Sequence, residues 1–321
     1  MSTNMNHIDK YNISNVDCIK HMFYDMPEDS MDAMCTSVPF PSTYSYTNLD
    51  EDLGNSESYG EMKVHFGYFF RGLLRVMKPG RVSIVHCMQI PPFGRHKDIS
   101  DFRGLLIRLA KRAGFLYDND WLIRRNPQSE AIRTHAHGLL FVTLERDRAK
   151  TRAAMAEYLI KLIKPGENTV PIDSPGISRE DWIQWAESCW HGIRSGNTLN
   201  TKEAKGDDDS RHICPLQLDT IDRVIRLYSN PGEIVFDPFA GIGSTGYECM
   251  KLDRRFYGCE LKPEYYNCAI RNINRAIEKK QLNSASLFDL IHDEEPEIEQ
   301  DNVDEDLFDP IPEDAEEVMS E

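Results

Sequence analysis

The sequence predicts an α/β fold built on a largely parallel sheet, and three observations predict it. Short apolar runs of strand length, such as residues 81–87 and 234–236, alternate with amphipathic stretches of helix length such as residues 59–77. Residues 233–263 read strand, glycine-rich turn, helix, strand, acid, the layout of a nucleotide-binding βαβ unit. The chain has 321 residues, enough for one large domain or two small ones, and no apolar run of membrane-spanning length.

In order, residues 12–16 read as a short strand ending at Asp17-Cys18, residues 19–24 as a brief helix and 26–30 as a turn. Residues 31–35 lean apolar and run into Thr36-Ser37-Val38-Pro39-Phe40-Pro41, where two prolines stop both helix and sheet. Pro39 keeps Val38 extended, and this backbone belongs at the C-terminal edge of the sheet, where α/β proteins place their chemistry. Tyr44, Tyr46 and the polar run to Ser58 form a loop. The helix over 59–77 turns Phe66, Phe69, Phe70, Leu73 and Leu74 inward and stops at Lys78-Pro79-Gly80. Residues 81–87 make a strand and 101–113 its helix, closed by Gly114.

Residues 120–125 begin another strand, with 158–163 as its return partner. Residues 166–211 hold Trp182, Trp185 and Trp190 but end polar, and are read as an inserted segment outside the sheet. A helix over 215–228 leads to the strand at 234–236. The glycine turn, a helix to Lys251, a strand over 255–259 and a helix over 264–277 complete the fold. No internal repeat is present.

The net charge of −16 is unevenly spread. Residues 293–321 carry 15 of the 53 acids and no Lys or Arg, leaving 38 acids against 37 basic residues in the body. The tail is too charged and too poor in apolar periodicity to pack, and disorder is expected there. Residues 71–152 carry 17 Lys and Arg against 7 acids, a footprint suited to a polyanion. Arg124, Arg125, Arg133, Arg146, Arg148, Lys150 and Arg152 are the candidate phosphate contacts. The N-terminal residues lack the apolar core of a secretion signal, and eight scattered cysteines with no CxxC pair fit reduced thiols in a cytoplasm. His135 and His137 have no partner at ligand spacing, so no metal site is expected.

In Gly241-Ile242-Gly243-Ser244-Thr245-Gly246 the glycines let backbone approach a ligand, and the helix that follows offers free N–H groups. Glu260 follows Gly241 by about 20 residues, the separation at which an acid takes ribose hydroxyls. Only one strand and one helix follow before the acidic tail. That favours a ligand with a single nucleoside over a dinucleotide, which needs two mononucleotide halves.

With both blocks in view, the chain resembles the DNA N4-cytosine/N6-adenine amino-methyltransferases, in the circularly permuted order that puts the catalytic block before the cofactor block. The resemblance rests on Asp17-Cys18, Thr36-Ser37-Val38-Pro39-Phe40, His212-Ile213-Cys214-Pro215, Asp237-Pro238-Phe239-Ala240-Gly241-Ile242-Gly243-Ser244-Thr245 and Gly258-Cys259-Glu260-Leu261-Lys262-Pro263. It covers roughly residues 10–165 and 212–280 and is especially close to phage-borne members. It implies a Rossmann-like S-adenosylmethionine-dependent methyltransferase fold, a mixed seven-stranded sheet with helices on both faces. The catalytic half would be 1–165, with a basic excursion at 126–157, and the cofactor half 212–292. Target recognition would fall to 126–157, 166–211 or both.

By the same resemblance Phe239, Gly241 and Gly243 line the methionine end of S-adenosylmethionine, Glu260 the ribose and Asp17-Cys18 the adenine. Asp237, Ser244, Thr245 and Leu261 complete the cofactor set. Double-stranded DNA is the implied partner, a homodimer is left open, and a phage enzyme would work in the host cytoplasm to protect viral DNA.

One departure stands out, because Val38 occupies the first proline of the family's Asp/Asn/Ser-Pro-Pro-aromatic pattern. An exocyclic amine delocalises its lone pair into the base and attacks poorly. Two acceptors, the Ser37 side chain and the Val38 carbonyl, hold its hydrogens and favour a pyramidal nitrogen, while Phe40 stacks on the flipped base. Valine keeps the carbonyl but loses the ring's rigidity. Serine at the head of the block leans toward cytosine N4 over adenine N6. The alternatives are a degenerate methyltransferase fold kept for binding, or methylation of RNA or protein.

Overall fold

The computed structural model describes residues 9–40, 47, 49, 51–56, 58–90, 98–134, 136–171, 176–201 and 214–292. The acidic tail at 293–321 and the loop at Tyr44 and Tyr46 therefore lie outside the described residues. The strands are β1 (Tyr11–Ser14), β2 (Ala33–Ser37), β3 (Val82–Met88), β4 (Leu116–Ile123), β5 (Glu157–Ile163), β6 (Cys189–Trp190), β7 (Ile234–Asp237) and β8 (Arg255–Cys259). The helices are α1 (Cys18–Tyr24), α2 (Tyr59–Val76), α3 (Phe102–Ala113), α4 (Pro127–Thr134), α5 (Phe141–Arg146), α6 (Arg179–Trp185), α7 (Leu218–Tyr228), α8 (Ser244–Lys251) and α9 (Pro263–His292).

All eight strands join one sheet in the order β1-β8-β7-β2-β3-β5-β4-β6. Every neighbouring pair is parallel except those that β5 makes with β3 and β4. The sheet is thus mixed, as expected, and β5 is the return partner of β4. The two halves are not separate bodies, because β8 pairs with β1 and β7 with β2, and residues up to Lys280 form one compact unit. α9 ends at His292, beyond the end expected at 277.

Alternation along the strands divides the core in two. Met34, Val85, Phe236 and Tyr257 face one side with Met22 of α1, Phe66 and Phe70 of α2 and Leu106 of α3. Cys35, Ile84, Val235 and Phe256 face the other with Ile221 of α7, Cys249 of α8 and Ile273 of α9. Central strands covered on both faces read as continuous apolar runs, which is why they stood out in the sequence.

Two expectations are corrected. Among the described residues the sheet has eight strands rather than seven, and the extra one comes from the 166–211 segment placed outside it. Cys189 and Trp190 pair with Leu122 and Ile123 at the sheet edge. Trp190 is fully buried, stacks obliquely 5.7 Å from Trp121, and donates its indole N–H to Trp185 O at 2.8 Å. A two-residue strand has no periodicity to detect, and burial of the indole creates it.

Candidate active site

The C-terminal ends of β1, β2, β7 and β8 meet at a cleft of about 1070 Å3 with its open mouth included, at the expected edge of the sheet. Asp17 and Cys18, 200 residues and more from the glycine turn in sequence, line it together with Ser37, Val38, Pro39, Phe40, Phe239, Gly241, Glu260 and Leu261. The link is direct, since Asn15 Nδ2 donates to the carbonyls of Glu260 (2.8 Å) and Leu261 (2.9 Å). Asp17 starts α1 by accepting from Ile19 N at 2.9 Å, so the helix begins at the cavity wall.

Glu260 ends β8. Its carboxylate accepts from Gly241 N at 2.8 Å and Lys262 N at 2.9 Å, which ties the acid to the glycine turn. Burial pushes its pKa up to about 8, against the lowering effect of those two N–H donors. Asp237 ends β7 and accepts from Thr36 Oγ1 (2.6 Å), Thr245 Oγ1 (2.6 Å) and Phe239 N (3.1 Å). It fastens β2, the turn and α8 to one another, and burial raises its pKa to about 6. Ser244 and Thr245 open α8 at the cavity, and the buried Ser244 Oγ has no hydrogen-bond partner among the described residues.

The two glycines of the turn do different work. Gly241, at φ 54°, has open space where a Cβ would stand and borders the cavity. Gly243, at φ 85°, was expected to border it too, but is not part of the lining. A Cβ there would stand 2.9 Å from Ala269 Cα in α9, so its bareness serves helix packing. Gly243→Ala is therefore expected to destabilise the fold by about 2–4 kcal/mol, from left-handed strain plus overpacking, read as a lower urea midpoint.

On the opposite wall Ser37 is in register with His86 of β3. Ser37 Oγ lies 2.8 Å from His86 Nδ1, and His86 Nε2 lies 2.7 Å from Glu157 Oε1. Val38 N donates to His86 O at 3.2 Å, a bond that proline could not make, and its side chain is buried in the core. The expected loss of rigidity at Val38 is thus offset by a main-chain tie. Phe40 meets the His86 ring edge-on, centroids 6.3 Å apart, and borders both this cavity and a second one of about 1940 Å3.

The second cavity is also lined by Arg124, Arg125, Glu157 and Arg194. Arg124 is exposed at its rim. Arg125, a candidate phosphate contact, is mostly buried, with Nε 2.8 Å from Glu157 Oε2. Arg152 likewise pairs with buried Glu130, at 3.0 Å. Arg125 is thereby part of this wall, and neither arginine is a free surface cation, because a buried carboxylate needs a partner. Arg146, Arg148 and Lys150 are exposed on the excursion, and Arg133 lies in α4.

Sequence reasoning missed His86 and Glu157. The signal was present, since a histidine in the run Val82-Ser83-Ile84-Val85-His86-Cys87 and an acid opening an apolar strand are buried polar groups that require partners.

Comparison with known proteins gives the family and the fold. M1.MboII, a type II methyltransferase of Moraxella bovis, is 47% identical over 82 residues, 25% of this chain and 30% of its own. M.BglI, a type II methyltransferase of Bacillus subtilis, is 28% identical over 148 residues, 45% of this chain and 39% of its own. The chain thus spans about a third of the length of these curated relatives. The structure of TTHA0409, described as a DNA modification methylase of Thermus thermophilus and complexed with S-adenosyl-L-methionine, superposes with a TM-score of 0.61. That match covers 84% of this chain and 96% of the other at 20% identity, a likeness of fold alone. Residues 24–271, which carry the sheet from β2 to β8, match the family model of the N6/N4 DNA methylases, and the chain belongs to that family.

Proposed function

We propose that this protein transfers a methyl group from S-adenosylmethionine to the exocyclic amine of a base flipped out of double-stranded DNA. One observation carries the reading. Among the described residues the first cavity is lined by five carboxylates (Asp17, Glu51, Asp52, Asp237 and Glu260) and by no Lys or Arg. Even with Glu260 largely protonated at pH 7, the other acids and the lack of a basic side chain in the lining disfavour phosphates and suit a cationic ligand with one nucleoside. The residues suit S-adenosylmethionine: the Ser244 hydroxyl at the start of α8, without a partner among the described residues, would meet its carboxylate, Glu260 its ribose and Asp17-Cys18 its adenine. Bound there, the cofactor supplies an electrophilic methyl group on a sulfonium.

Ser37 and the Val38 carbonyl hold the amine, Phe40 stacks on the extruded base, and Arg124 with the exposed Arg146, Arg148 and Lys150 meets the DNA backbone. The chain runs catalytic block first, the permuted order of the family. Serine at position 37 favours cytosine N4 as the acceptor. Mass spectrometry of nucleosides from DNA treated with protein and labelled cofactor is expected to show N4-methylcytosine. N6-methyladenine instead would overturn the choice of base, and absence of labelled nucleosides would overturn the function.

Glu260 makes cofactor binding pH-dependent with a definite sign. In the free protein its pKa is near 8, so the carboxyl is largely protonated at pH 7. Two ribose hydroxyls donating to it favour the ionised form, so binding releases a proton below about pH 8. Affinity is expected to climb as pH rises toward about 8 and to level off above it, with a buffer-dependent binding enthalpy in calorimetry. Glu260→Ala should lose that pH dependence and about 1–3 kcal/mol of affinity. A wild-type affinity independent of pH would place the ribose elsewhere.

A further inference from the structure

Resting on the methyl-transfer reading, the geometry points to a proton relay behind Ser37, which we propose runs through His86 to Glu157 and is held by Arg125. Three strands build it. Ser37 and His86 are opposite one another on β2 and β3, and Glu157 of β5 is the diagonal neighbour of His86, whose own partner is Leu159. The contacts follow in line, from Ser37 Oγ to His86 Nδ1 at 2.8 Å, His86 Nε2 to Glu157 Oε1 at 2.7 Å, and Glu157 Oε2 to Arg125 Nε at 2.8 Å. His86 is 5% exposed and Glu157 3%. A strand core gains nothing from a buried acid–imidazole pair that an apolar pair would not supply at lower desolvation cost, so the arrangement points to a use other than stability.

The Arg125–Glu157 ion pair sets the direction assigned to the relay. Paired with a guanidinium, Glu157 is an acceptor only, so His86 Nε2 carries the proton and Nδ1 is bare. Ser37 must then donate its hydroxyl hydrogen to Nδ1, which leaves the oxygen lone pairs for the amine in the cavity. Without the relay the hydroxyl could turn its hydrogen toward the amine and cease to be an acceptor. As the N–C bond forms, the S–C pair goes to sulfur and the nitrogen becomes cationic. Its surplus proton passes to Ser37 Oγ while the serine proton passes to Nδ1, and the resulting imidazolium is held by Glu157 until water takes the proton. Phe40 packs edge-on against the imidazole, and His86, Glu157 and Arg125 border the second cavity, from which water can take the proton. His86, Glu157 and Arg125 act through Ser37 and are positioning residues.

The test reads the relay with and without turnover. Imidazole 15N NMR of the wild-type protein is expected to show His86 as the Nε2–H tautomer. In Glu157→Gln the new amide can donate to Nε2, so the tautomer should reverse to Nδ1–H. Single-turnover methyl transfer to DNA should fall by up to about 10²–10³-fold, no more than in Ser37→Ala, in Glu157→Gln and in His86→Gln, which keeps a polar bridge but cannot take a proton. S-adenosylmethionine affinity should stay within about twofold in both, because neither residue borders the first cavity. An Nδ1–H tautomer in the wild type, or a His86→Gln variant at wild-type rate, would overturn the relay while the function stands. Wild-type protein with the Nε2–H tautomer but no transfer to any DNA would overturn the proposed function, and the relay's proton transfer with it.

Discussion

Ser37→Ala is expected to slow methyl transfer by about 10²–10³-fold while leaving S-adenosylmethionine affinity within about twofold. The hydroxyl is fixed before the substrate arrives by its 2.8 Å contact with His86 Nδ1, so it needs no reorganisation when charge develops on the amine. An acceptor that acts mainly in the transition state is worth about 2–4 kcal/mol, which sets the size of the rate loss. The cofactor side is spared because Glu260 keeps its bonds to Gly241 N and Asn15 Nδ2, and Asp17 its bond to Ile19 N. Single-turnover transfer from labelled cofactor measures the rate and calorimetry the affinity. A variant at wild-type rate would show that the amine is held by other groups.

Asp237→Ala should cost about 3–5 kcal/mol of stability, since it orphans the Thr36 and Thr245 hydroxyls and the Phe239 N–H in a water-poor interior. Asp237→Asn should behave differently, because a neutral amide keeps part of the network without a buried charge. The pKa of Asp237 is raised from the usual 3.8 to about 6, so the interior favours its neutral form. The stability this contributes is full below pH 3.8 and is lost as pH rises through about 6, on the order of 3 kcal/mol. Wild type should therefore lose stability relative to Asp237→Asn between about pH 4 and about 6, in urea titrations at each pH. A constant difference across that range would mean that the carboxyl is ionised throughout.

Contiguous signals were legible. The strand, turn, helix, strand and acid of residues 233–263 folded as read, because each step is set by neighbours in the chain: β-branched residues, glycines at positive φ, and an acid at the strand end. The proline block was legible for the same reason, and it stands at the sheet edge where its backbone required. Gly243 was harder, since the same positive φ serves a ligand or a neighbouring helix equally well, and only the approach of Ala269 decides between them. Arg125 and Arg152 read as surface cations because a sequence shows charge but not the carboxylate that faces it.

By itself the sequence determined the α/β class, the glycine turn with its acid, and the Ser-Val-Pro-Phe block, all properties of local backbone preference and spacing. The tertiary structure decided what those pieces do together. Strand order put β7 beside β2, so that Asp237 fastens both blocks to one cavity. The β2–β3–β5 register brought Ser37, His86 and Glu157 into line although 49 and 71 residues separate them. Such pairings depend on which strands are neighbours and on a register that, shifted by one residue, would turn every one of these side chains to the other face. That is a property of the assembled sheet, and no single stretch of the chain carries it.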